Sequence, residues 1–176
     1  MSDATPFSGA NIDVAISSRA KEDGGRLQNV ETHLENIEFT KRIDSDEVLD
    51  DIVATGIQYT TERYITVALP SGASLLRSRL VAFLTVMNDS ANMHKIDIDV
   101  QLRPSGGAWS TFFSQDDVIG LPAVEGATTG LVALQDVSTV VTGAGTYGVR
   151  IAASQSSANS VHYTTQFRLE VDYKMS

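Results

Sequence analysis

The sequence predicts a mainly β protein, an antiparallel β-sandwich of the jelly-roll or immunoglobulin-like type, behind an acidic N-terminal arm that is partly extended and partly helical. Three observations predict this fold class. Apolar and polar residues alternate with a period of two through most of residues 57–176, turns rich in Gly and Pro separate these segments, and no helical pattern lies between them. The pattern changes near Gly56, so we predict an arm at 1–56 and a sandwich domain at 57–176.

The arm combines two kinds of apolar spacing. Its first part is predicted to be extended, because apolar residues alternate with polar or small ones at Ile12, Val14 and Ile16. After two glycines the spacing becomes that of one helical face, formed by Leu27, Val30, Leu34 and Ile37. We therefore predict a helix over about 26–40 and a second, short helix over about 46–52, with Ser45 as its N-cap.

The sandwich domain contains seven or eight predicted strands. The strongest pattern is at the C-terminus, where apolar residues from Val161 to Tyr173 alternate with polar ones and predict a long, half-buried strand. Leu75–Met87 is more continuously apolar, which is typical of a strand covered on both faces. The remaining predicted strands are Ile57–Leu69, Ile96–Leu102, Trp109–Ser114, Leu131–Leu134, Val137–Val141 and Tyr147–Ala153.

Composition and charge limit the classes of function. The chain has 42% hydrophobic and 20% charged residues, close to globular averages, and it has no cysteine for a disulfide, a thiolate metal site or a thiol nucleophile. Of the 22 acidic residues 12 precede Ile57, against 5 of the 13 basic ones. This acidity disfavours binding to nucleic acid and to anionic membranes, and it favours a protein as the binding partner.

The sequence has neither a signal-peptide pattern nor an apolar run of about 20 residues. The protein is therefore expected to be made in, and to stay soluble in, a cytoplasm.

The sequence shows no constellation of catalytic residues. His33, His94 and His162 fall in three different elements without ligand spacing, and solvated positions are expected for all three. Asp97 and Asp99 share one strand face, but a polar sheet face is a commoner role for them than a Ca²⁺ site. A β-sandwich hydrolase would need converging carboxylates or histidines, and no pattern indicates them. We therefore expect no enzyme activity, no cofactor and no resident metal.

Two apolar or aromatic clusters remain as candidate interaction sites. The helix face packs on its own sandwich or on copies of itself; two heptads are too short to associate alone, so an oligomer would need the sandwich as well. Trp109, with Asp116 and Asp117 nearby in a predicted loop, is a candidate platform for a ligand such as a sugar. A buried aromatic cluster is the commoner use of such residues.

One segment resembles a known group of proteins. Asn11-Ile12-Asp13-Val14-Ala15-Ile16-Ser17-Ser18-Arg19-Ala20 is similar to a stretch that recurs in structural proteins of tailed bacteriophages, in which an Ile-Asp-x-x-Ile-Ser-Ser-Arg core precedes a linker or short helix. The cysteine-free β domain, rich in Gly, Ser and Thr, is similar in style to phage head-decoration, cement and fibre domains. The resemblance implies a virion protein whose arm, through Ile12, Val14, Ile16 and Arg19, docks on a larger assembly.

The leading hypothesis is accordingly a non-enzymatic capsid decoration or cement protein. It would be made in the host cytoplasm, bind the major capsid protein or another virion protein through the arm, and form a homo-oligomer such as a trimer. The alternative is a tail or fibre component, either an adaptor or a carbohydrate- or receptor-binding module, in which Trp109, Asp116 and Asp117 would meet the ligand.

Overall fold

The structure is a computed structural model that describes residues 38–52, 55–156 and 161–175, and within these ranges the chain forms ten strands and no helix. The strands are β1 (Glu38–Asp44), β2 (Val48–Ile52), β3 (Gln58–Tyr59), β4 (Arg63–Val67), β5 (Ala73–Asn88), β6 (His94–Pro104), β7 (Ser110–Leu121), β8 (Thr128–Asp136), β9 (Gly145–Gln155) and β10 (Val161–Met175). No described segment is a helix of the length and hydropathy needed to cross a membrane.

The ten strands form two antiparallel sheets of five. Sheet A has the order β1-β10-β5-β8, with β2 also paired to β10, and sheet B has the order β3-β9-β6-β7, with β4 also paired to β9. Because β1 and β2 pair with different stretches of β10, and β3 and β4 with different stretches of β9, each couple acts as one interrupted strand. Counted in this way, the order is that of an eight-stranded jelly roll, which decides between the two sandwich types.

The core lies between the two sheets and is built from alternate residues of the long strands. On β10 burial alternates without interruption from Val161 to Val171, as the sequence pattern predicts. The same alternation runs along β6, whose inward residues are Ile96, Ile98, Val100 and Leu102. The largest fully buried side chains are Tyr163, Phe167, Ile65, Leu80, Ile96, Ile98, Leu102, Leu121, Ile151, Leu169 and His94.

The predicted helices are corrected where the structure describes them. The helix over about 46–52 is wrong, because Val48–Ile52 is strand β2, which pairs with β10. The helix over about 26–40 is wrong at its C-terminal end, because β1 begins at Glu38; its residues up to 37 lie outside the described ranges. Short apolar runs do not distinguish helix from strand, and here pairing with β10, more than 100 residues away, decides the conformation. Sheet A therefore begins well before Gly56.

Two predicted strands also differ from the structure. The segment from Ile57 to Leu69 is broken at buried Thr60, whose hydroxyl accepts a hydrogen bond from the backbone N–H of Ile151 at 2.9 Å. The break leaves Tyr59 exposed, whereas Ile65 faces the core. Val137–Val141 is a turn, in which the N–H of Val141 donates to the carbonyl of Val137 at 2.9 Å, although both valines are fully buried. The apolar spacing of Val137–Val141 therefore arises from burial of the two valines in a turn, and the predicted strand is wrong.

Candidate functional site

The outer face of sheet B carries a depression of about 210 Å³. Its floor is formed by small residues of β9, Ala152 and Ser154, which leave the space that larger side chains would fill. Carboxylates stand on the side formed by β6 and β7, and Ile57 stands on the opposite side. The lining residues are Ile57, Asp97, Ile98, Asp99, Ser114, Asp116, Ala152, Ala153 and Ser154.

The carboxylates in this depression differ in how they are held. Asp97 accepts hydrogen bonds from the backbone N–H of Asp117 at 2.7 Å and from the hydroxyl of Ser154 at 3.0 Å. Asp99 and Asp116 make no hydrogen bond or ion pair with any residue that the structure describes. The first carboxylate is therefore structural, whereas the other two are free to accept hydrogen bonds from a ligand. No group of acidic or histidine residues in the described ranges has the arrangement of a metal site.

A bulge in β7 positions these acidic groups. Ile96 pairs with Ile119 and Ile98 pairs with Gln115, so residues 116–118 lie opposite the single residue Asp97. Asp117 takes a positive φ of 49° there, which aspartate tolerates better than most residues. Bulges redirect side chains at strand edges, and this one turns Asp116 toward the depression. The pair Asp116-Asp117 was predicted in a loop; it lies within strand β7.

A stack of aromatic rings and guanidinium groups lies beside the depression. The guanidinium carbon of Arg150 is 3.8 Å from the ring centroid of Tyr59 and 4.0 Å from that of Trp109. Arg103 lies 4.5 Å from the Trp109 ring, and the Nε of Arg150 donates to Gln101 at 2.9 Å. Because β3, β9, β6 and the turn before β7 all contribute, the stack ties the outer face of sheet B together.

Gly148 makes room for an ion pair at the end of this stack. A Cβ atom at Gly148 would overlap Oε1 of Glu62, whose carboxylate lies over the backbone of β9. There it accepts two hydrogen bonds from Arg103, at 2.9 Å and 2.8 Å. These bonds hold the pKa of Glu62 below its usual value, with a smaller contribution from Tyr64. The pair fixes the side chain of Arg103 against Trp109.

The structure separates the residues of the predicted ligand platform. Trp109 is half-buried in the cation–π stack, and Asp116 lines the depression. Asp117 forms an ion pair with Lys95 at 2.9 Å. Trp109 and Asp116 are seven positions apart, which is about 20 Å along an extended chain. Tyr59 and Arg150 are the residues that sequence analysis missed, and Asp99 was considered there only with Asp97, as a possible Ca²⁺ ligand. Only the pairing of β3 with β9 and of β9 with β6 places these residues on one part of the sheet.

Of the two histidines in the described ranges, His94 departs from the expectation of a solvated position, whereas His162 lies on the polar face of its strand. His94 is fully buried as the first residue of β6, where its Nε2 lies 3.0 Å from the Ser90 hydroxyl, and burial lowers its pKa. His162 lies on the polar face of β10 beside Asp51 and Asp89, and its hydrogen bond to Asp51 raises its pKa. His33 lies outside the described residues.

The outer face of sheet A is divided into a charged part and an apolar part. In the charged part, Asp172 accepts hydrogen bonds from Thr40 at 2.7 Å and Arg77 at 2.9 Å, which lower its pKa, the bond from Thr40 most strongly. In the apolar part, Phe83 of β5 pairs with Val132 of β8, and Val81 pairs with Leu134. Both β8 side chains are more than half exposed.

The remaining predicted site residues are not described by the structure. The arm residues Ile12, Val14, Ile16 and Arg19, and the helix face Leu27, Val30, Leu34 and Ile37, all precede Glu38. Their roles in docking, packing or oligomerisation stay predictions. What the structure adds is the place where this segment joins the sandwich, at the edge of sheet A.

The chain matches no protein-family model, and no curated protein matches it. Among solved structures it is similar to the VP2 subviral particle of infectious bursal disease virus, with 11% identity, a TM-score of 0.44, and coverage of 80% of this chain and 38% of that one. It is also similar to a CBM4 structure, with 12% identity, a TM-score of 0.37, and 70% and 89% coverage. A third structure, dimeric latent PorU from Porphyromonas gingivalis, has 11% identity, a TM-score of 0.39, and 76% and 13% coverage. The chain thus spans about two fifths of the VP2 chain, and likenesses this distant assign no function.

Proposed function

We propose that this protein is a non-enzymatic structural component of a virion, a capsid decoration or cement protein that binds the major capsid shell through its N-terminal arm. The observation that carries the proposal is the outer face of sheet A, where Phe83, Val132 and Leu134 form an apolar surface. Apolar patches of this kind on a soluble domain are typical of protein contacts. The arm enters the sandwich through β1, at an edge of the same sheet.

Two further points support the proposal. The segment Asn11–Ala20 resembles structural proteins of tailed bacteriophages, and jelly rolls are common among viral capsid domains, although fold alone does not define function. The protein would act by adding contact area between neighbouring capsomers. Its partners would be the major capsid protein and other copies of itself, and its place would be the virion.

Deleting residues 1–25 tests this proposal. The full chain is expected to cosediment with preformed capsids that lack it, and the deletion is expected to weaken binding at least tenfold, because it removes Ile12, Val14, Ile16 and Arg19. Trp109→Ala, on the opposite sheet, serves as the control and should leave capsid binding unchanged. Equal binding by the deleted and full-length chains would contradict the arm as the anchor.

The depression on sheet B favours a second candidate function, a tail or fibre module that binds carbohydrate. Asp99 and Asp116 offer free carboxylate oxygens to sugar hydroxyls. The ring of Tyr59, which is 53% exposed and pairs with Ala152 of the floor, offers an aromatic surface next to the depression. Aromatic surface with a few convergent polar groups is the usual lining of a small-molecule site. Arg150, held between Tyr59 and Trp109, would add hydrogen-bond donors.

Glycan binding tests the second candidate. If the depression holds a sugar, Tyr59→Ala and Asp99→Ala are each expected to weaken binding about tenfold or more on a glycan array and in calorimetry. Tyr64→Ala is the matched control, since Tyr64 is 57% exposed against 53% for Tyr59, but Tyr59 pairs with Ala152 in the floor of the depression, whereas Tyr64 pairs with Gly148 farther along β9. Glycan binding that disappears in Trp109→Ala would argue against a purely cementing role. A chain that binds no glycan would exclude the carbohydrate module.

A further inference from the structure

The edges of the two sheets differ in how they are protected from pairing with another strand. Native proteins protect edge strands with charge, proline, bulges or short length. On sheet B, β7 has two bulges and carries Asp116 and Asp117, while β4 has five residues. On sheet A, β2 also has five residues, and β1 carries charged side chains at Glu38, Lys41, Arg42 and Asp44.

Strand β8 is the exception. Its nine residues, Thr-Thr-Gly-Leu-Val-Ala-Leu-Gln-Asp, include no lysine, arginine or proline, and Asp136 at the end is the only charge. It pairs with β5 without any register shift, and within the described residues no other strand pairs with it. Val132 and Leu134, 62% and 58% exposed, point outward from this edge. A straight apolar edge of this kind favours the addition of a strand.

We propose that β8 pairs antiparallel with β8 of a second copy around a twofold axis at Val132, so that two A sheets join into one. We infer that the added strand belongs to a second copy of this chain because the sequence of β8 complements itself in this register. Val132 faces its own equivalent, and the bulky Leu134 faces Gly130 of the second copy, which has no side chain. At the end of the strand, Asp136 faces the hydroxyl of Thr128.

The inward-facing positions fit the same register. Leu131 would face Ala133, again large against small, and Thr129 would face Gln135, which can exchange a hydrogen bond. No like charges meet, and no apolar residue faces a charged one, so the pairing avoids the mismatches that destabilise cross-strand neighbours. A twofold contact of this kind uses the same surface on both copies.

The pairing would also extend the apolar surface of sheet A. Val132 pairs with Phe83 within one chain, and Leu134 pairs with Val81. Across the proposed axis the row of Phe83 and Val132 would continue into the same row of the second copy, whereas the row of Val81 and Leu134 would continue into Gly130 and Thr85 of the second copy. The result is one apolar ribbon across both sheets, with the charged part, which includes Asp172 and Arg77, at the two outer ends.

Sedimentation of the full-length chain tests the pairing. The wild type is expected to sediment as a dimer, and Val132→Lys is expected to weaken the association about tenfold or more, because two ammonium groups would meet near the axis. Val124→Lys is the matched control, since Val124 is 60% exposed but lies in the turn before β8 and should leave the dimer intact. Thermal unfolding and circular dichroism of each variant confirm that the sandwich is folded.

Mixing two variants tests the register itself. Val132→Lys and Val132→Asp should each be monomeric alone, and an equimolar mixture should form a heterodimer, because opposite charges would then meet at the axis. A monomeric wild type would overturn the proposal, as would an oligomer that Val132→Lys does not weaken. A mixture that fails to associate would overturn the twofold at Val132. The pairing deepens the self-association named in the proposed function; because the test involves no capsid or glycan, its failure would leave capsid binding through the arm to be decided separately by the deletion of residues 1–25.

Discussion

Phe167→Ala is expected to lower the free energy of unfolding by about 3–5 kcal/mol, because it removes a fully buried aromatic side chain and leaves a cavity. Phe167 lies in the middle of β10, which pairs with β1, β2 and β5 and forms the centre of sheet A. Its backbone also exchanges hydrogen bonds with Ser45, at 2.7 Å and 2.9 Å. Urea denaturation of the full chain measures the change.

Phe39→Ala is the control for this substitution. Phe39 is 39% exposed and stacks on Tyr173 with ring centroids 5.4 Å apart, so its loss should cost only about 0.5–1.5 kcal/mol. A cost for Phe167→Ala no larger than for Phe39→Ala would contradict the placement of β10 against the core.

The long strands could be predicted from the sequence because their burial is periodic. On β10 and β6 every second residue faces the core, so a period of two is enough to place each side chain on its sheet face. The pattern fails where apolar residues are buried outside a strand, as at Val137 and Val141, and where a strand is short, as at Val48–Ile52. In these places the conformation is decided by the geometry of a turn or by pairing with a distant strand. The apolar spacing of a short segment gives no information about either.

The candidate site was harder to predict because its residues are distant in the sequence. Tyr59, Asp99 and Arg150 come to lie on one part of sheet B only after β3 pairs with β9 and β9 pairs with β6. Trp109 could be singled out from the sequence, but its neighbours could not, since strand order cannot be read from alternation. The bulge that turns Asp116 toward the depression gives no local signal either, because it depends on the register with β6.

The loops at one end of the sandwich depend on a single buried amide. Asn88, the last residue of β5, is fully buried, and its Nδ2 donates hydrogen bonds to the carbonyls of Asn92 and Pro122, both at 2.8 Å. Its Oδ1 accepts hydrogen bonds from the backbone N–H and the hydroxyl of Ser90. All four bonds fit an amide, so one side chain joins the β5–β6 and β7–β8 connections.

Asn88→Asp is therefore expected to destabilise the protein by about 3–5 kcal/mol at neutral pH, although it hardly changes the shape of the side chain. The carboxylate that replaces the amide would face the carbonyl oxygens of Asn92 and Pro122 without a proton to donate to either. Denaturant unfolding at pH 7 measures the loss. Asn92→Asp is the matched control, because the side chain of Asn92 is exposed and the same substitution should change stability by less than about 0.5 kcal/mol there.

The pH dependence of this loss separates the charge effect from a packing effect. Burial among acceptors raises the pKa of the introduced carboxyl in the folded state above its unfolded value of about 3.9, so the folded state binds the proton more tightly. The deficit relative to the wild type is then complete above the folded-state pKa and shrinks as the pH falls toward about 3.9, where the protonated carboxyl can donate to one of the two carbonyls. A deficit that stays constant over this range would mean that the two carbonyl oxygens do not face the side chain at position 88.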